Sequence, residues 1–323
     1  MKAIVMNAPG GPEVMELVDA DLEAPGEGQV RVRHTAIGLN YIDTYHRSGL
    51  YPLPLPSGIG LEAAGVVEEV GPGVTKLTAG DRVAYGTGPI GAYAEARNVP
   101  AARVTKLSDD ISDETAAAMM LKGMTVRYLL HETYEVQPGD TILWHAAAGG
   151  VGLIACQWAK AIGATVIGTV SSEEKAQLAR DNGCDHIIMY TEEDVAERVR
   201  ELTDGAGVPV VYDGVGASTV EASLNSLRPR GLLASFGNAS GPVTNFDLGQ
   251  LSAKGSLYVT RPTLMTYTAS DGDLAANASD VVKMVGSGKV KIPVNQRYAL
   301  SEAQLAHSDL ESRKTTGSTV LIP

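Results

Sequence analysis

A short glycine-rich turn near the middle of the chain carries the clearest chemical signal. Residues 147–152, Ala-Ala-Gly-Gly-Val-Gly, follow a predicted strand, TILWHAA, and open a predicted helix, GGVGLIACQWAKAIG. Free backbone N–H groups and the positive end of the helix dipole suit such a helix start to a diphosphate. Gly149 and Gly150 would let the phosphates come close to the backbone of the turn, which includes Val151. Gly152 would let the helix pack closely on the strand. The turn therefore predicts a dinucleotide site.

The residues after the next predicted strand, TVIGTV, indicate which dinucleotide the site prefers. A site for NADH usually has Asp or Glu about 20 residues after the glycines, where the carboxylate binds the ribose 2′-hydroxyl. Ser171, Ser172 and Lys175 are found there instead, and two hydroxyls with an ammonium suit the 2′-phosphate of NADPH. The two glutamates at 173–174 would favour NADH if they turned inward. In the first turn of a helix, however, we expect them to face solvent.

The pattern of strands and helices that must position these residues changes along the chain. From residue 140 to 260 short apolar strands alternate with helices, an order that predicts parallel strands joined by right-handed crossovers. The earlier part contains short Val- and Ile-rich segments bounded by Gly and Pro, which favour a β-rich domain, and the chain ends on a strand, STVLIP. We therefore predict an α/β fold in which a doubly wound parallel-sheet domain, residues 121–264, is inserted into a β-rich domain, residues 1–120 and 265–323.

Composition and charge narrow the classes of function. The chain has 26 Lys and Arg against 38 Asp and Glu, a net charge of −12, so its acidic surface disfavours nucleic acid as a partner. Two cysteines, Cys156 and Cys184, are too few for a disulfide framework or a four-thiolate zinc site. No apolar run approaches the roughly 18 residues that a membrane span needs. We expect a cytoplasmic protein without a membrane or nucleic-acid partner.

Several sequence blocks in a fixed order resemble one family along essentially the whole chain. They are NYIDTYHRSGLYP at 40–52, GLEAAGVVEEVGPGV at 60–74, AGDRVAYG at 79–86, LKGMTVRYLL at 121–130, HAAAGGVGLIACQWAKAIGA at 145–164, SFGNASGPV at 235–243, KGSLYVTRP at 254–262 and LESRKTTGSTVLIP at 310–323. The set resembles the NADPH-dependent quinone oxidoreductases of the medium-chain dehydrogenase/reductase superfamily, a branch that includes zeta-crystallin. The resemblance implies a GroES-like β-rich catalytic domain, a Rossmann NADP-binding domain and a cleft between them. Members of the family are commonly dimers or tetramers, and we expect a homodimer.

The same resemblance bears on metals. In the zinc alcohol dehydrogenases of this superfamily, a Cys near the first block and a His in Gly-His-Glu hold the catalytic zinc. Asn40 and Leu61 are at the equivalent positions here, and neither side chain is a zinc ligand. The lobe with four clustered cysteines is missing, since GTGPIGAYAEA follows the AGDRV block directly. We therefore predict no metal.

By resemblance, the first block lies beside the nicotinamide and the substrate. Asn40 would bond the nicotinamide carboxamide or ribose. Tyr45 would reach the substrate and donate its phenol proton to the developing quinol oxygen; packing in the cleft wall is the alternative role for this tyrosine. Thr125 would lie under the nicotinamide side of the cofactor, and the segment around Arg261 would line the nicotinamide site or the domain junction.

Further candidates for the cofactor site come later in the chain. Tyr190, at the end of the predicted strand DHIIMY, would flank the adenosine ribose near the 2′-phosphate. Phe236, Gly237 and Asn238 end a strand at the crevice where doubly wound folds bind their ligands, and they would border the nicotinamide. Arg313 would add a cation near the diphosphate or the cleft.

The implied reaction is transfer of hydride, or of electrons, from NADPH to a quinone without a metal. An acceptor that no metal polarises must already be electron-poor, so positioning of the reactants would supply much of the catalysis. Two alternatives stay open. One is an NADPH-dependent alkenal or enone double-bond reductase on the same scaffold. The other is a crystallin-like or RNA-binding protein that holds NADPH without turnover.

Overall fold

The computed structural model describes all 323 residues, which form two compact units. The first unit contains Met1–Met124, Thr268–Ser287 and Ile292–Pro323, and the second contains Thr125–Tyr267 and Gly288–Lys291. None of the helices combines the length and the apolar character that crossing a bilayer requires.

The N-terminal part of the first unit consists mainly of β-strands. Its elements are β1 (Lys2–Met6), β2 (Glu16–Asp19), β3 (Gln29–Leu39), α1 (Tyr41–Ser48), β4 (Ser57–Gly58), β5 (Glu62–Val70), β6 (Arg82–Tyr85), β7 (Ala96–Pro100), β8 (Thr105–Lys106) and α2 (Asp113–Tyr128). Strand β1 pairs antiparallel with β2 and β4 in a small sheet. Strand β3 is the longest and pairs antiparallel with both β5 and β7.

The alternation of side chains along β3 explains why this segment is a strand. Val30 and Val32 are fully buried in the core of the first unit, while Arg31 and Arg33 lie on the other face and pair with glutamates of β5. A period of two residues with one apolar face is the pattern of a strand that covers a core. The predicted β-rich character of this part of the chain is confirmed.

The second unit alternates strands and helices. Its elements are β9 (Thr141–Trp144), α3 (Gly150–Ile162), β10 (Thr165–Val170), α4 (Glu173–Asp181), β11 (His186–Met189), α5 (Val195–Leu202), β12 (Val208–Asp213), α6 (Val220–Ser226), β13 (Leu227–Ser235), α7 (Gly249–Ala253), β14 (Tyr258–Thr260) and α8 (Leu264–Tyr267). The strands form one sheet in the order β11-β10-β9-β12-β13-β14, and every pair is parallel. The predicted doubly wound sheet is confirmed, and the carboxyl ends of its strands share one edge.

One predicted boundary in this sheet is wrong. The segment VEASLNSLR, residues 220–228, predicts a helix that continues through Arg228. In the structure helix α6 ends at Ser226 and β13 already begins at Leu227. Pro229 follows directly, and a proline disfavours the helical conformation in the residue before it. The chain therefore becomes extended before the apolar segment GLLASFG, which predicts the strand.

The C-terminal part returns to the first unit with α9 (Asp271–Gly286), β15 (Val294–Ala299), α10 (Ala303–Glu311) and β16 (Ser318–Ile322). Ser270 caps α9, since its side chain accepts a hydrogen bond from the Asp273 amide at 3.0 Å. Strand β16 pairs antiparallel with β3 and parallel with β15, which completes a seven-stranded sheet.

Candidate active site

The glycine-rich turn leads from β9 into α3, as predicted. Ala146 has a φ of +56°, in the left-handed region that residues other than glycine seldom adopt. Gly149 is extended, and its carbonyl accepts the first hydrogen bond of the helix, from Leu153 N–H at 2.9 Å. The amides of residues 150–152 precede that bond, so the helix itself offers them no acceptor. They are the donors that an anion would use.

The glycines of the turn differ in why they lack a side chain. A Cβ on Gly152 would lie 2.5 Å from the carbonyl oxygen of Ala146 and 2.6 Å from that of Ala147, so close packing of the helix requires glycine there. A Cβ on Gly149 would approach only the Ala146 oxygen, at 3.3 Å, and the backbone φ of −77° is ordinary for any residue. Protein packing therefore restricts Gly149 less than Gly152, although a Cβ there would still be in tight contact with the Ala146 oxygen.

In the dinucleotide-binding pattern Gly-x-Gly-x-x-Gly, this chain has Ala147 in place of the first glycine. On the neighbouring strand β10, a Cβ at Gly168 would lie 2.6 Å from the Ala147 Cβ. The methyl group that this turn carries at 147 therefore fits because residue 168 has none. The departure from three glycines leaves the approach to the amides unchanged.

Four predicted cofactor residues meet where β10 and β11 end. Ser171 and Ser172 follow β10 directly, and the Ser172 side chain caps α4 by accepting from the Lys175 amide at 3.3 Å. Tyr190 is 42% exposed, and its N–H donates to the carbonyl of the last residue of β10 at 3.2 Å. The glutamates at 173–174 lie in the first turn of α4 and are exposed, as expected. This edge of the sheet therefore carries two serine hydroxyls, a phenol and a lysine. The two glutamates of the first turn of α4 face solvent.

The residues after β13 are held tightly at the same edge of the sheet. The Phe236 ring packs beside Trp144 at the end of β9, with ring centroids 5.6 Å apart. A Cβ on Gly237 would lie 2.1 Å from the Gly214 carbonyl oxygen, so the loops after β12 and β13 touch through their backbones. Asn238 is half-buried next to this contact. The three predicted residues therefore border the crevice end of the sheet.

Arg261, whose role the sequence leaves open, fixes this loop. Its guanidinium Nη1 donates to the carbonyls of Ser235 and Gly237, at 2.9 and 2.8 Å. The arginine follows β14 directly and so joins the ends of two neighbouring strands. It positions the segment that carries Phe236.

The other predicted residues lie elsewhere in the chain. Thr125 is buried in α2 at the start of the second unit. Asn40, Tyr45 and Arg313 belong to the first unit; Arg313 is exposed and has a left-handed φ of +60° just after α10. The second unit thus brings together the residues of the sheet edge, and the first unit carries the remaining three.

Asn40 and Tyr45 are positioned by the first helix, α1. The Asn40 N–H donates to Asp43 Oδ2 at 2.9 Å, and its amide Nδ2 donates to Glu62 Oε2 at 2.8 Å. The Tyr45 ring packs against the Tyr51 ring with centroids 5.2 Å apart and is 8% exposed. Both side chains are therefore held in fixed orientations.

A buried charged cluster surrounds Asn40, and the sequence reasoning missed its central member, Glu62. This carboxylate is fully buried and also accepts from Leu121 N–H at 2.8 Å and from the Lys122 ammonium at 3.4 Å. Asp43 is fully buried as well, and burial raises the pKa of its carboxyl to about 7. An ionisable residue at the start of the apolar strand segment EAAGVV is the signal that could have identified Glu62.

A second series of buried groups extends from Asp43. The Tyr93 hydroxyl donates to Asp43 Oδ2 at 3.0 Å and lies 3.0 Å from His307 Nε2, while His307 Nδ1 lies 3.1 Å from Arg47 Nη1. Burial lowers the pKa of His307 to about 3, so its imidazole is neutral. Arg47 can only donate, so His307 accepts at Nδ1 and donates its Nε2–H to Tyr93. Arg47 in turn forms two hydrogen bonds with Glu311, at 2.9 and 2.7 Å.

Comparison with known proteins gives the family. The model for the alcohol dehydrogenase GroES-like domain matches residues 26–109, and the model for zinc-binding dehydrogenases matches residues 150–274. A quinone oxidoreductase of Pseudomonas aeruginosa is 58% identical over 323 residues, which cover 100% of this chain and 99% of the relative. A 2-haloacrylate reductase of Burkholderia is 47% identical over 99% of this chain and 98% of the relative.

A solved structure agrees with these matches. The crystal structure of Escherichia coli quinone oxidoreductase complexed with NADPH aligns with a TM-score of 0.98 at 51% identity and covers 100% of both chains. The resemblance seen in the sequence blocks and the predicted fold are therefore confirmed. With a turn, a parallel sheet and a GroES-like unit that all match, this chain belongs to the quinone oxidoreductase branch of the medium-chain dehydrogenase/reductase superfamily.

Proposed function

We propose that this chain reduces quinones with NADPH. The observation that carries the proposal is the glycine-rich start of α3, where the amides of residues 150–152 have no acceptor within the helix. This chain is also 51% identical over its full length to a quinone oxidoreductase complexed with NADPH. We also propose that the functional domains follow the predicted boundaries, 121–264 within 1–120 and 265–323.

The residues of the second unit divide the binding of the coenzyme among them. NADPH, when bound, supplies the hydride that the quinone accepts. The amides of 150–152 would hold its diphosphate, and Ser171, Ser172, Lys175 and Tyr190 would hold the 2′-phosphate. The nicotinamide end would lie against the loop of Phe236, Gly237 and Asn238, which the Arg261 guanidinium holds through two carbonyls, and Thr125 would be a further contact. Asn40 and Arg313 of the first unit are kept as candidate coenzyme residues.

Lys175→Ala is expected to raise the KM for NADPH about tenfold or more and to leave the KM for NADH almost unchanged. Only NADPH carries the 2′-phosphate, and a charge-assisted bond to it is worth at least about 1.5 kcal/mol. Steady-state kinetics with each coenzyme measure the effect, and the exposed Lys289, also in the second unit, gives the control Lys289→Ala. Equal changes for both coenzymes would remove Lys175 from the 2′-phosphate site.

Tyr45→Phe is expected to lower kcat for a quinone about tenfold or more at saturating NADPH, because general-acid donation usually contributes at least that factor. The ring contact with Tyr51 stays in place, and a thermal melt of the variant reports any loss of stability separately from the loss of turnover. Turnover and its solvent deuterium isotope effect measure the loss, with the exposed Tyr258→Phe as the control. A Tyr45→Phe protein with normal turnover would show that this tyrosine only packs.

A second candidate function is reduction of an activated carbon–carbon double bond. It is favoured by the 47% identity with a 2-haloacrylate reductase over nearly the full chain. Rates of NADPH oxidation with 1,4-benzoquinone, with an α,β-unsaturated ketone and with 2-chloroacrylate distinguish the two functions. A higher kcat/KM with the quinone supports the first proposal; a clear preference for either of the others supports the second.

We propose that the protein is a cytoplasmic homodimer. Strand β14 is the last strand in the order of the parallel sheet, and its Tyr258 and Val259 are 62% and 39% exposed. An apolar sheet edge of this kind is suited to pairing with a second copy. The unbridged thiols of Cys156 and Cys184 fit a reducing compartment. Sedimentation equilibrium tests the assembly, since a dimer has twice the 33.7 kDa of one chain.

A further inference from the structure

Four buried polar side chains of the second unit form a continuous series of hydrogen bonds that reaches the glycine turn. Asp213 ends β12, Ser223 lies in α6, His145 follows β9 and Thr169 lies in β10, and each is at most 2% exposed. Ser223 Oγ lies 2.7 Å from Asp213 Oδ2 and 3.0 Å from His145 Nε2. His145 Nδ1 lies 3.1 Å from Thr169 Oγ1, which accepts from Ala146 N–H at 3.3 Å.

The donors in this series can be assigned from valence alone. The Asp213 carboxylate only accepts, so Ser223 must give it its single hydroxyl hydrogen. Ser223 Oγ then accepts from His145, which must carry its proton on Nε2. A neutral imidazole has one N–H, so Nδ1 accepts from the Thr169 hydroxyl, whose oxygen is left to accept from Ala146 N–H. Burial lowers the pKa of His145, which agrees with the neutral form.

Asp213 is itself fixed by the loop that follows β12. Its Oδ1 accepts from Val215 N–H at 2.8 Å, from Gly216 N–H at 3.0 Å and from the Thr219 hydroxyl at 2.9 Å. A carboxylate that accepts several hydrogen bonds from one loop is held in one orientation. The proton arrangement of the whole series is therefore set from its Asp213 end.

The other end of the series lies at the strained residue of the turn. Ala146 keeps a left-handed φ of +56°, which is unfavourable for alanine by roughly 1–2 kcal/mol and persists only where neighbours hold it. Its carbonyl accepts from Gly149 N–H at 3.0 Å. The orientation of Ala146 therefore sets the position of Gly149 and of the first amides of α3.

We propose that Asp213, Ser223, His145 and Thr169 form a relay of hydrogen bonds with a fixed imidazole tautomer that positions the glycine turn for the diphosphate of the coenzyme. These are positioning residues, because they act through Ala146 and Gly149. The inference rests on the proposed binding of NADPH. Since both coenzymes have a diphosphate, the relay serves NADPH and NADH alike.

The first test removes the hydroxyl that bonds Ala146. Thr169→Val keeps the shape of the side chain and is expected to raise the Kd of NADPH and of NADH by the same factor, about tenfold, because Ala146 N–H loses its acceptor and the buried His145 Nδ1 loses its donor. Values of kcat at saturating NADPH should stay within about twofold. Thr169→Ser restores the hydroxyl and should restore both Kd values, which loss of a merely structural contact with the methyl group would not predict.

The second test reads the tautomer directly. Nitrogen NMR of the wild-type protein, labelled at histidine, should show His145 protonated at Nε2. In Asp213→Asn the new amide donates to Ser223, so the series should reverse and His145 should carry its proton on Nδ1. This measurement needs no variant to decide the wild-type state, so it applies even where Thr169→Val fails to fold.

The outcomes separate the relay from the proposed function. Unchanged Kd values in folded Thr169→Val, or a wild-type His145 protonated at Nδ1, overturn the relay while NADPH binding stands. A wild-type protein that binds neither coenzyme overturns the proposed function itself. A shift confined to NADPH would assign Thr169 to the 2′-phosphate end of the site and also overturn the relay.

Discussion

Gly149→Val abolishes NADPH binding and leaves the protein folded: this is the expected result for the residue that opens the turn. The Cβ of a valine at this position would contact one backbone oxygen, Ala146 O, at 3.3 Å, which a shift of a few tenths of an ångström relieves, and the φ of −77° is allowed for a branched residue. Its methyl groups would occupy the space in front of the amides of 150–152. An apo Tm within a few degrees of wild type is expected, with at least a hundredfold loss of NADPH affinity, equivalent to about 2.7 kcal/mol.

Two glycine variants bracket this result. Gly152→Val should unfold or strongly destabilise the protein without coenzyme, because its Cβ would lie 2.5 Å from a backbone oxygen. Gly272→Val, at the start of α9, has only Ser270 Oγ nearby at 3.8 Å and should change neither Tm nor binding. Calorimetric titration with NADPH and thermal melts measure all three. If folded Gly149→Val still took up NADPH at wild-type affinity, the diphosphate would have to bind elsewhere.

Asp43→Asn is expected to remove a pH-dependent destabilisation of the wild-type protein. Burial raises the pKa of the Asp43 carboxyl from 3.8 to about 7. Between these values the folded state keeps a proton that the unfolded chain has released, so the free energy of unfolding falls as the pH rises from about 4 to about 7 and is level above. This rise in pKa corresponds to about 4 kcal/mol of unfolding free energy that the wild type loses between the two pH values. The neutral amide of the variant has no charge to bury, so the variant does not lose this stability.

The measurement is the difference in the free energy of unfolding between Asp43→Asn and wild type, from urea titrations at several pH values from 4.5 to 8. Buried histidines with lowered pKa values, His34, His145 and His307, contribute the opposite slope, but they do so in both proteins and cancel. We expect the difference to grow in favour of the variant as the pH rises. The control Asp81→Asn should not show this, because hydrogen bonding to Lys106 lowers the pKa of that carboxyl. A constant difference for Asp43→Asn would mean that the wild-type carboxyl is already ionised at the lowest pH.

Local signals in the sequence were sufficient for the parallel sheet and for the turn. The strand TILWHAA, the glycines and the apolar face of α3 are consecutive, so their geometry follows from hydrogen bonding within a short segment. The cap of α2 is equally local, since Ser112 Oγ accepts from Thr115 N–H at 3.2 Å. In these places neighbouring residues decide the structure.

The buried cluster could not be predicted in the same way. Asp43, Glu62 and Lys122 come from α1, β5 and α2 and meet only when the first unit has folded. Asp, Glu and Lys side chains are usually exposed, so these residue types do not by themselves predict burial. The relay of His145 and Asp213 has the same origin, as its bonded members are separated by 10 to 78 positions. Which polar groups share a core depends on strand order, which the local pattern does not contain.

The arginine at the end of the Asp43 series has a kinetic consequence. Proton hopping along hydrogen bonds requires every member to take a proton on one side and release one on the other. A guanidinium group only donates hydrogen bonds and has no lone pair to take up a proton, so conduction from Asp43 through Tyr93 and His307 stops at Arg47. Along this route Asp43 exchanges its proton with bulk water only when the core opens by local unfolding. The rate of that opening therefore limits how fast the Asp43 carboxyl responds, along this route, to a sudden change of pH.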